Sequence, residues 1–148
     1  VRVGIGITEI IAPGGSKYPV YVFSANYARY TSIINKVLAG TTLEFDQSVY
    51  DRIILNEQNY GYKPAASSLR LGFFVGDEVM MGKVSMFFHL GFYAFRPVGG
   101  LGAFSKVGAN YYFASVGQNK ETKLFIGANV KAHYFVAQMF EVSSGVVF

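Results

Sequence analysis

Residues 123–148 read KLFIGANVKAHYFVAQMFEVSSGVVF, and their apolar and polar side chains alternate at a period of two. From Leu124 the even positions up to 136 are apolar or aromatic, whereas the odd positions from 127 to 133 are Gly, Asn, Lys and His. After a short break, the alternation resumes at Phe140 and runs to the terminal aromatic residue, Phe148. Successive side chains of a strand point to opposite faces. The stretch therefore predicts two strands, each with one apolar and one polar face, as in strands between lipid and a polar interior.

The composition is that of a membrane protein or a very apolar β protein. Only 15% of the 148 residues are charged, against about 25% in soluble domains, and 17% are aromatic. The mean hydropathy is +0.29. No run approaches the roughly 18–20 apolar residues that a membrane helix needs. If the chain spans a membrane, it must therefore do so as a closed barrel, which satisfies all backbone hydrogen bonds.

Several other classes are disfavoured. The chain has no cysteine, which excludes disulfides. Its 13 basic and 9 acidic residues are scattered rather than clustered, so no nucleic-acid partner is predicted. No secretion signal is present and the chain starts at Val1, so we expect a processed or partial chain.

Six further stretches alternate in the same way, at residues 1–8, 20–29, 36–47, 68–79, 83–95 and 104–114. With the two C-terminal strands, they predict an all-β fold: an eight-stranded antiparallel up-and-down transmembrane β-barrel. Residues 1–148 would form a single barrel domain. Aromatic residues near the strand ends predict interfacial girdles; these are Tyr27, Tyr30, Tyr111, Phe113 and Tyr134.

The connections differ in length on the two sides of this barrel. Residues 9–19, 48–67 and 96–103 are long connections, whereas 30–35 and 80–82 are short and 115–122 is intermediate. Short turns on one side and longer loops on the other are typical of bacterial outer-membrane barrels. We therefore expect the long loops outside the cell and both termini in the periplasm. In a barrel of eight strands, side chains should fill the lumen.

The alternation alone leaves open which face is the interior. A soluble lipocalin-like carrier also has eight strands, but with its apolar face inside. Two features favour the membrane barrel: the polar face is rich in glycine, and its few charges have mixed signs, as in Lys36, Glu44 and Lys131. Opposite charges can pair inside a narrow barrel, where an unpaired charge would be costly.

Five segments together resemble a known family. They are KYPVYVFSANYARY (17–30), KVLAGTTLEFDQS (36–48), GKVSMFFHLGFYAFRP (82–97), SKVGANYYF (105–113) and NVKAHYFVAQMFEVSSGVVF (129–148). They resemble the lipid A 3-O-deacylase-like, or acyloxyacyl hydrolase, family of outer-membrane barrels, in its Bacteroidetes-type form. The KAH…E spacing before a terminal aromatic residue is the most specific part. The resemblance implies the outer membrane of a Gram-negative bacterium and contact with lipopolysaccharide.

The resemblance also implies a candidate site. The family's enzymes remove an ester-linked acyl chain from lipopolysaccharide with a serine, a histidine and a glutamate. This chemistry needs a nucleophilic hydroxyl, a base within hydrogen-bond reach and a carboxylate that orients the base. His133 matches the histidine and Glu141 is the expected carboxylate. The serine position is occupied by Phe135, which has no nucleophile.

A loop at 136–138 would place His133 directly opposite Glu141 on the next strand, within contact distance. Both residues share the parity of Asn129 and Lys131, so both are predicted to face the interior near the extracellular rim. The two interpretations are a catalytic pair, working or relic, and a buried cross-strand pair that helps to fill the lumen.

Other candidate residues are weaker. Ser143 and Ser144 are candidate substitute nucleophiles. Ser143 is predicted to face the same side of the strand as Glu141, and Ser144 the opposite side. His89 is predicted to be a histidine packed in the barrel interior rather than a metal ligand. No motif predicts a metal or a cofactor.

These observations predict a small outer-membrane barrel that lacks the family serine and has a structural or accessory binding role, alone or as a subunit of a larger outer-membrane complex. One alternative is an active lipopolysaccharide or lipid esterase that uses His133 and Glu141 with another nucleophile. The second alternative is the soluble lipocalin-like carrier.

Overall fold

The computed structural model describes residues 1–9, 16–56, 63–98, 102–116, 122–133 and 136–148, which form one closed barrel of eight antiparallel strands. Each strand pairs with its neighbours in the sequence, and the first pairs with the last. The predicted fold class is therefore confirmed. The strands are β1 (Arg2–Glu9), β2 (Lys17–Tyr30), β3 (Asn35–Asp46), β4 (Leu69–Met81), β5 (Val84–Phe95), β6 (Ala103–Val116), β7 (Thr122–His133) and β8 (Val136–Val147).

The apolar face of the wall points outward and the polar face points inward. Ile5 is 55% exposed and Ile126 is 52% exposed, whereas Lys131 on the opposite face of β7 is 1% exposed. This arrangement is the reverse of a lipocalin-like carrier, whose apolar face lines the interior. The prediction of an apolar outer wall around a polar interior is confirmed, and the lipocalin-like alternative, which requires an apolar interior, does not fit this arrangement.

Glycines on the inner face make room for larger interior side chains. A Cβ atom at Gly4 would lie 2.8 Å from Glu141 Oε1 and 3.1 Å from the Glu141 Cγ. Such distances are shorter than van der Waals contact, so a side chain at residue 4 would displace the buried carboxylate.

The two ends of the barrel differ. We call the end that carries Val1, Phe148 and the links 31–34 and 82–83 the terminal end, and the opposite end the loop end. Gly82 in the second link has a φ of 66°, in the left-handed region that favours glycine. Four of the predicted girdle residues are exposed towards the terminal end: Tyr27, Tyr30, Tyr111 and Phe113. Tyr134 lies outside the described residues.

Two short helices lie at the loop end, where the sequence predicted a long polar connection. They are α1 (Gln47–Asn56) and α2 (Pro64–Ser67). Asp46 ends β3 and caps α1, because its Oδ1 accepts hydrogen bonds from the Ser48 backbone N–H (2.9 Å) and hydroxyl (2.6 Å). Val49 and Ile53 are buried, and α1 contacts β2. Neither described helix is long and apolar enough to cross a membrane.

The turn between β7 and β8 is not where the sequence predicted it. β7 ends at His133 and β8 begins at Val136, so residues 136–138 belong to β8 rather than to a loop. The register places Val136 opposite His133 and Asn129 opposite Glu141, with a bulge at Lys131 and Ala132. The predicted register of residue 133 opposite 141 is therefore wrong.

Candidate functional site

His133 lies at the loop end of β7 and faces the interior, as predicted. It is 5% exposed, and its ring stacks on Tyr93 of β5 with centroids 5.7 Å apart and an interplanar angle of 14°. Neither ring nitrogen has a hydrogen-bond partner among the described residues. The histidine is therefore held by ring packing and leaves both nitrogens available.

Glu141 also faces the interior, and it is fully buried in the middle of β8. Its Oε2 accepts a hydrogen bond of 2.8 Å from the Lys106 ammonium group on β6. Its strand neighbours are Asn129 and Gly6. The expected cross-strand contact with His133 is not formed, because the register of β8 places the Glu141 carboxylate nearer to the terminal end. There it binds the Lys106 ammonium group instead.

The remaining candidate nucleophiles are not placed beside His133. Ser143 faces the interior and pairs with Gly127 and Gly4, further from the loop end than Glu141. Ser144 is exposed on the outer wall. Phe135, which the sequence resemblance places at the expected serine position, lies outside the described residues.

A group of charged and aromatic side chains lies beneath His133. The Lys131 ammonium group binds the Glu44 carboxylate and the Tyr93 hydroxyl, and Tyr93 donates to Glu44 Oε2 at 2.9 Å. The same ammonium group lies 4.2 Å from the centroid of the Phe104 ring. The prediction that mixed interior charges would pair is confirmed here. The alternation predicts that these side chains face inward but not that they meet across the barrel.

Two arginine side chains, those of Arg70 and Arg96, lie at the loop end. Arg70 forms an ion pair with Asp46, the residue that caps α1. The Arg96 guanidinium, just beyond β5, lies 5.3 Å from the Tyr93 ring centroid. Burial lowers the pKa of Arg96, and the nearby Arg70 lowers it further. Among the described residues, no carboxylate accepts a hydrogen bond from His133, which a catalytic histidine would need.

A second polar network lies towards the terminal end and centres on Glu78 of β4. This carboxylate accepts hydrogen bonds from four inward side chains, which are Lys36 (3.2 Å), Tyr112 (2.8 Å), Asn110 (3.1 Å) and Ser85. The network links β3, β4, β5 and β6 through side-chain hydrogen bonds, and its role is structural.

His89 is buried between two aromatic rings, with centroids 4.6 Å from those of Phe74 and Phe87. This fits the predicted interior histidine. In the described part of the chain, no group of three or more His, Cys, Asp or Glu side chains could hold a metal ion.

The interior is not completely filled. A cavity of about 370 Å³ extends from the terminal end, at Tyr30 and Phe148, into the barrel as far as Thr42, Phe104 and Lys106. We call it the terminal cavity. The expectation that side chains fill the lumen is wrong for this part of the barrel.

The comparison with protein families bears directly on this site. The family described as "Acyloxyacyl hydrolase, C-terminal domain" matches residues 1–148, the whole chain. The chain belongs to the acyloxyacyl hydrolase family. The resemblance inferred from the five sequence segments is therefore confirmed. Neither the curated proteins nor the solved structures include a match to this chain. Within this acyloxyacyl hydrolase barrel, the expected histidine and glutamate both face inward but lie apart.

Proposed function

We propose that this member of the acyloxyacyl hydrolase family is an outer-membrane barrel with a structural or lipid-binding role, and that it does not hydrolyse acyl esters. The observation that carries the proposal is the hydrogen bond between Glu141 and Lys106, on a chain with phenylalanine at position 135. Acyl transfer needs a hydroxyl, a base and an orienting carboxylate in contact with one another. Here the carboxylate neutralises a lysine instead of orienting His133.

The position of His133 supports the same proposal. Its ring faces the interior and is almost fully buried, whereas an acyl chain in the membrane would lie against the outer wall. A lipid substrate would have to enter the barrel to reach the imidazole, past the Tyr93 ring on which it stacks.

The proposed location is the outer membrane of a Gram-negative bacterium, with the terminal end in the periplasm. The apolar outer wall supports a lipid environment. The connection with α1 and α2 at the loop end, against short links at the terminal end, supports the orientation. Lipopolysaccharide of the outer leaflet would then meet the loop end of the wall.

A place beside a larger envelope protein belongs to the same proposal. Ile33 is 96% exposed and Ile34 is 57% exposed in the link 31–34, at the tip of the β2–β3 hairpin. Such a pair favours a protein partner at the terminal end. A photo-crosslinking amino acid at Ile33 should capture one defined partner in cells. The same probe at Ser115, exposed on another hairpin, serves as control. If the probe at Ile33 captured no protein, or only the proteins that the probe at Ser115 captures, the proposed partner at the terminal end would be contradicted.

An active hydrolase is the second candidate, favoured by the family and by the nitrogens of His133, which have no hydrogen-bond partner among the described residues. The two candidates separate in one assay, in which purified protein in lipopolysaccharide vesicles is examined for released fatty acid by mass spectrometry. We expect no release, and none from Phe135→Ser, because the carboxylate remains with Lys106. Release by the natural chain that is lost in His133→Ala would establish the hydrolase.

A further inference from the structure

Among the described residues, the ion pairs inside the barrel leave Arg2 without a carboxylate partner. Four buried carboxylates each form an ion pair with one inward cation, and the pairs are Glu44–Lys131, Asp46–Arg70, Glu78–Lys36 and Glu141–Lys106. Arg2 on β1 is a fifth inward cation, and it is 9% exposed. No carboxylate of the described residues lies within ion-pair distance of it.

Glu141 and Glu78 lie near enough to attract the Arg2 charge, but the ion pairs of these two carboxylates are with Lys106 and Lys36. The Arg2 Nη2 donates a hydrogen bond of 2.8 Å to the neutral Asn110 Oδ1. The guanidinium lies 4.6 Å from the Phe87 ring centroid and 5.1 Å from that of Phe125. Nη1 is buried with no partner in the described part of the chain. A guanidinium with spare donors suits a carboxylate, which it can bind through two parallel hydrogen bonds.

Arg2 lines the terminal cavity, whose remaining wall has an apolar part and a polar part that includes Glu78, Asn110 and Lys123. Its apolar lining residues include Leu38, Phe74, Phe87, Phe104 and Phe125. Of the lysines in the lining, Lys36 and Lys106 already bind carboxylates, and Lys123 is partly exposed. The Glu78 carboxylate that Lys36 binds also lines the cavity. The volume of about 370 Å³ lies at the lower end of the range for small-molecule sites, roughly 300–1,000 Å³. The cavity therefore combines a buried guanidinium that has no ion-pair partner among the described residues with a wall that is apolar in part.

We propose that the terminal cavity binds a small amphipathic carboxylate, with its head on Arg2 and its hydrocarbon chain against the aromatic wall. A complete glycolipid is too large for this volume, and an inorganic anion would leave the apolar wall without a ligand. The site goes beyond the proposed function, because its charged contact is Arg2, near the terminal end, and it does not depend on hydrolysis.

Octanoate is a suitable probe. Isothermal titration calorimetry of the full chain in neutral maltoside micelles, with empty micelles subtracted, should show saturable binding of one octanoate per barrel. Arg2→Gln should weaken binding by about tenfold or more, because a hydrogen bond to a charged group is lost. Arg29→Gln is the matched control, since Arg29 is exposed at the same end, and it should leave binding unchanged.

Two further comparisons keep the test decisive if Arg2→Gln does not fold. Octanamide, which has the same chain without the charge, should bind the natural barrel much more weakly than octanoate. Leu38→Phe, which narrows the cavity and leaves Arg2 in place, should also weaken octanoate binding. Three results would overturn the proposal. They are the absence of saturable octanoate binding, binding of octanamide as tight as that of octanoate, and displacement of octanoate by inorganic phosphate as effective as displacement by unlabelled octanoate.

Discussion

Lys131 shows how single residues stabilise the interior, because its charge is almost fully buried and depends on Glu44. Glu44→Gln would leave this ammonium group without a carboxylate, at a cost of about 3–5 kcal/mol. Urea unfolding in lipid vesicles measures the loss. The double variant Glu44→Gln/Lys131→Met removes both charges and should recover part of the stability. If the double variant is no more stable than the single one, the ion pair is not what holds these strands.

Gly82 gives a second prediction at the residue scale. Its φ of 66° is unfavourable for an L side chain, yet a Cβ atom there would meet nothing within 4 Å. Gly82→Ala should therefore destabilise the barrel through backbone conformation alone, by about 1–2 kcal/mol in urea unfolding. Asparagine tolerates this conformation better than alanine does, so Gly82→Asn should lose less. Equal losses for the two variants would contradict this account.

At the scale of elements, α1 depends on Asp46 for its first turn. Asp46→Ala removes the acceptor of two Ser48 hydrogen bonds, and loss of such a cap typically costs about 1 kcal/mol. Hydrogen exchange at residues 47–55 should become faster. Arg70→Gln removes the ion pair but keeps the cap, so it separates the two roles. Unchanged exchange in Asp46→Ala would show that packing alone holds the helix.

The elements also show what the sequence can predict. A period of two locates all eight strands and their inner faces, because one face meets lipid and the other a packed interior. It does not locate the β7–β8 turn, since no Gly or Pro stands between His133 and Val136 and the apolar alternation continues through the turn. An error in that turn shifts the register, and the expected contact between His133 and Glu141 depended on the register. The spacing of Val49 and Ile53 was an available signal for α1.

At the scale of the whole molecule, the outer wall should tolerate charge according to depth. Val142 is 56% exposed near the middle of β8, so Val142→Lys should cost about 2–4 kcal/mol in a bilayer. Tyr27→Lys, near the terminal end of β2, should cost about 0–1 kcal/mol. Urea unfolding in vesicles compares the two. A Val142→Lys variant as stable as Tyr27→Lys would mean that the wall does not face acyl chains.

The interior of the whole barrel is less predictable than its wall. Alternation predicts that Arg2 faces inward, but which carboxylate each cation meets depends on the strand stagger around the closed sheet. The terminal cavity, and the lack of an ion pair at Arg2 in the described part of the chain, therefore emerge only in three dimensions.

The seam between the first and last strands has a consequence for biogenesis. β1 pairs with β8 from Arg2 opposite Gly145 to Thr8 opposite Met139, and the Val146 N–H donates to the Val1 carbonyl at 2.9 Å. An unfinished sheet in hydrocarbon would leave such groups unsatisfied on both open edges. The strands therefore cannot enter the bilayer one at a time, because β1 has no partner on its open edge until β8 has formed. Membrane insertion and closure of the barrel become a single event.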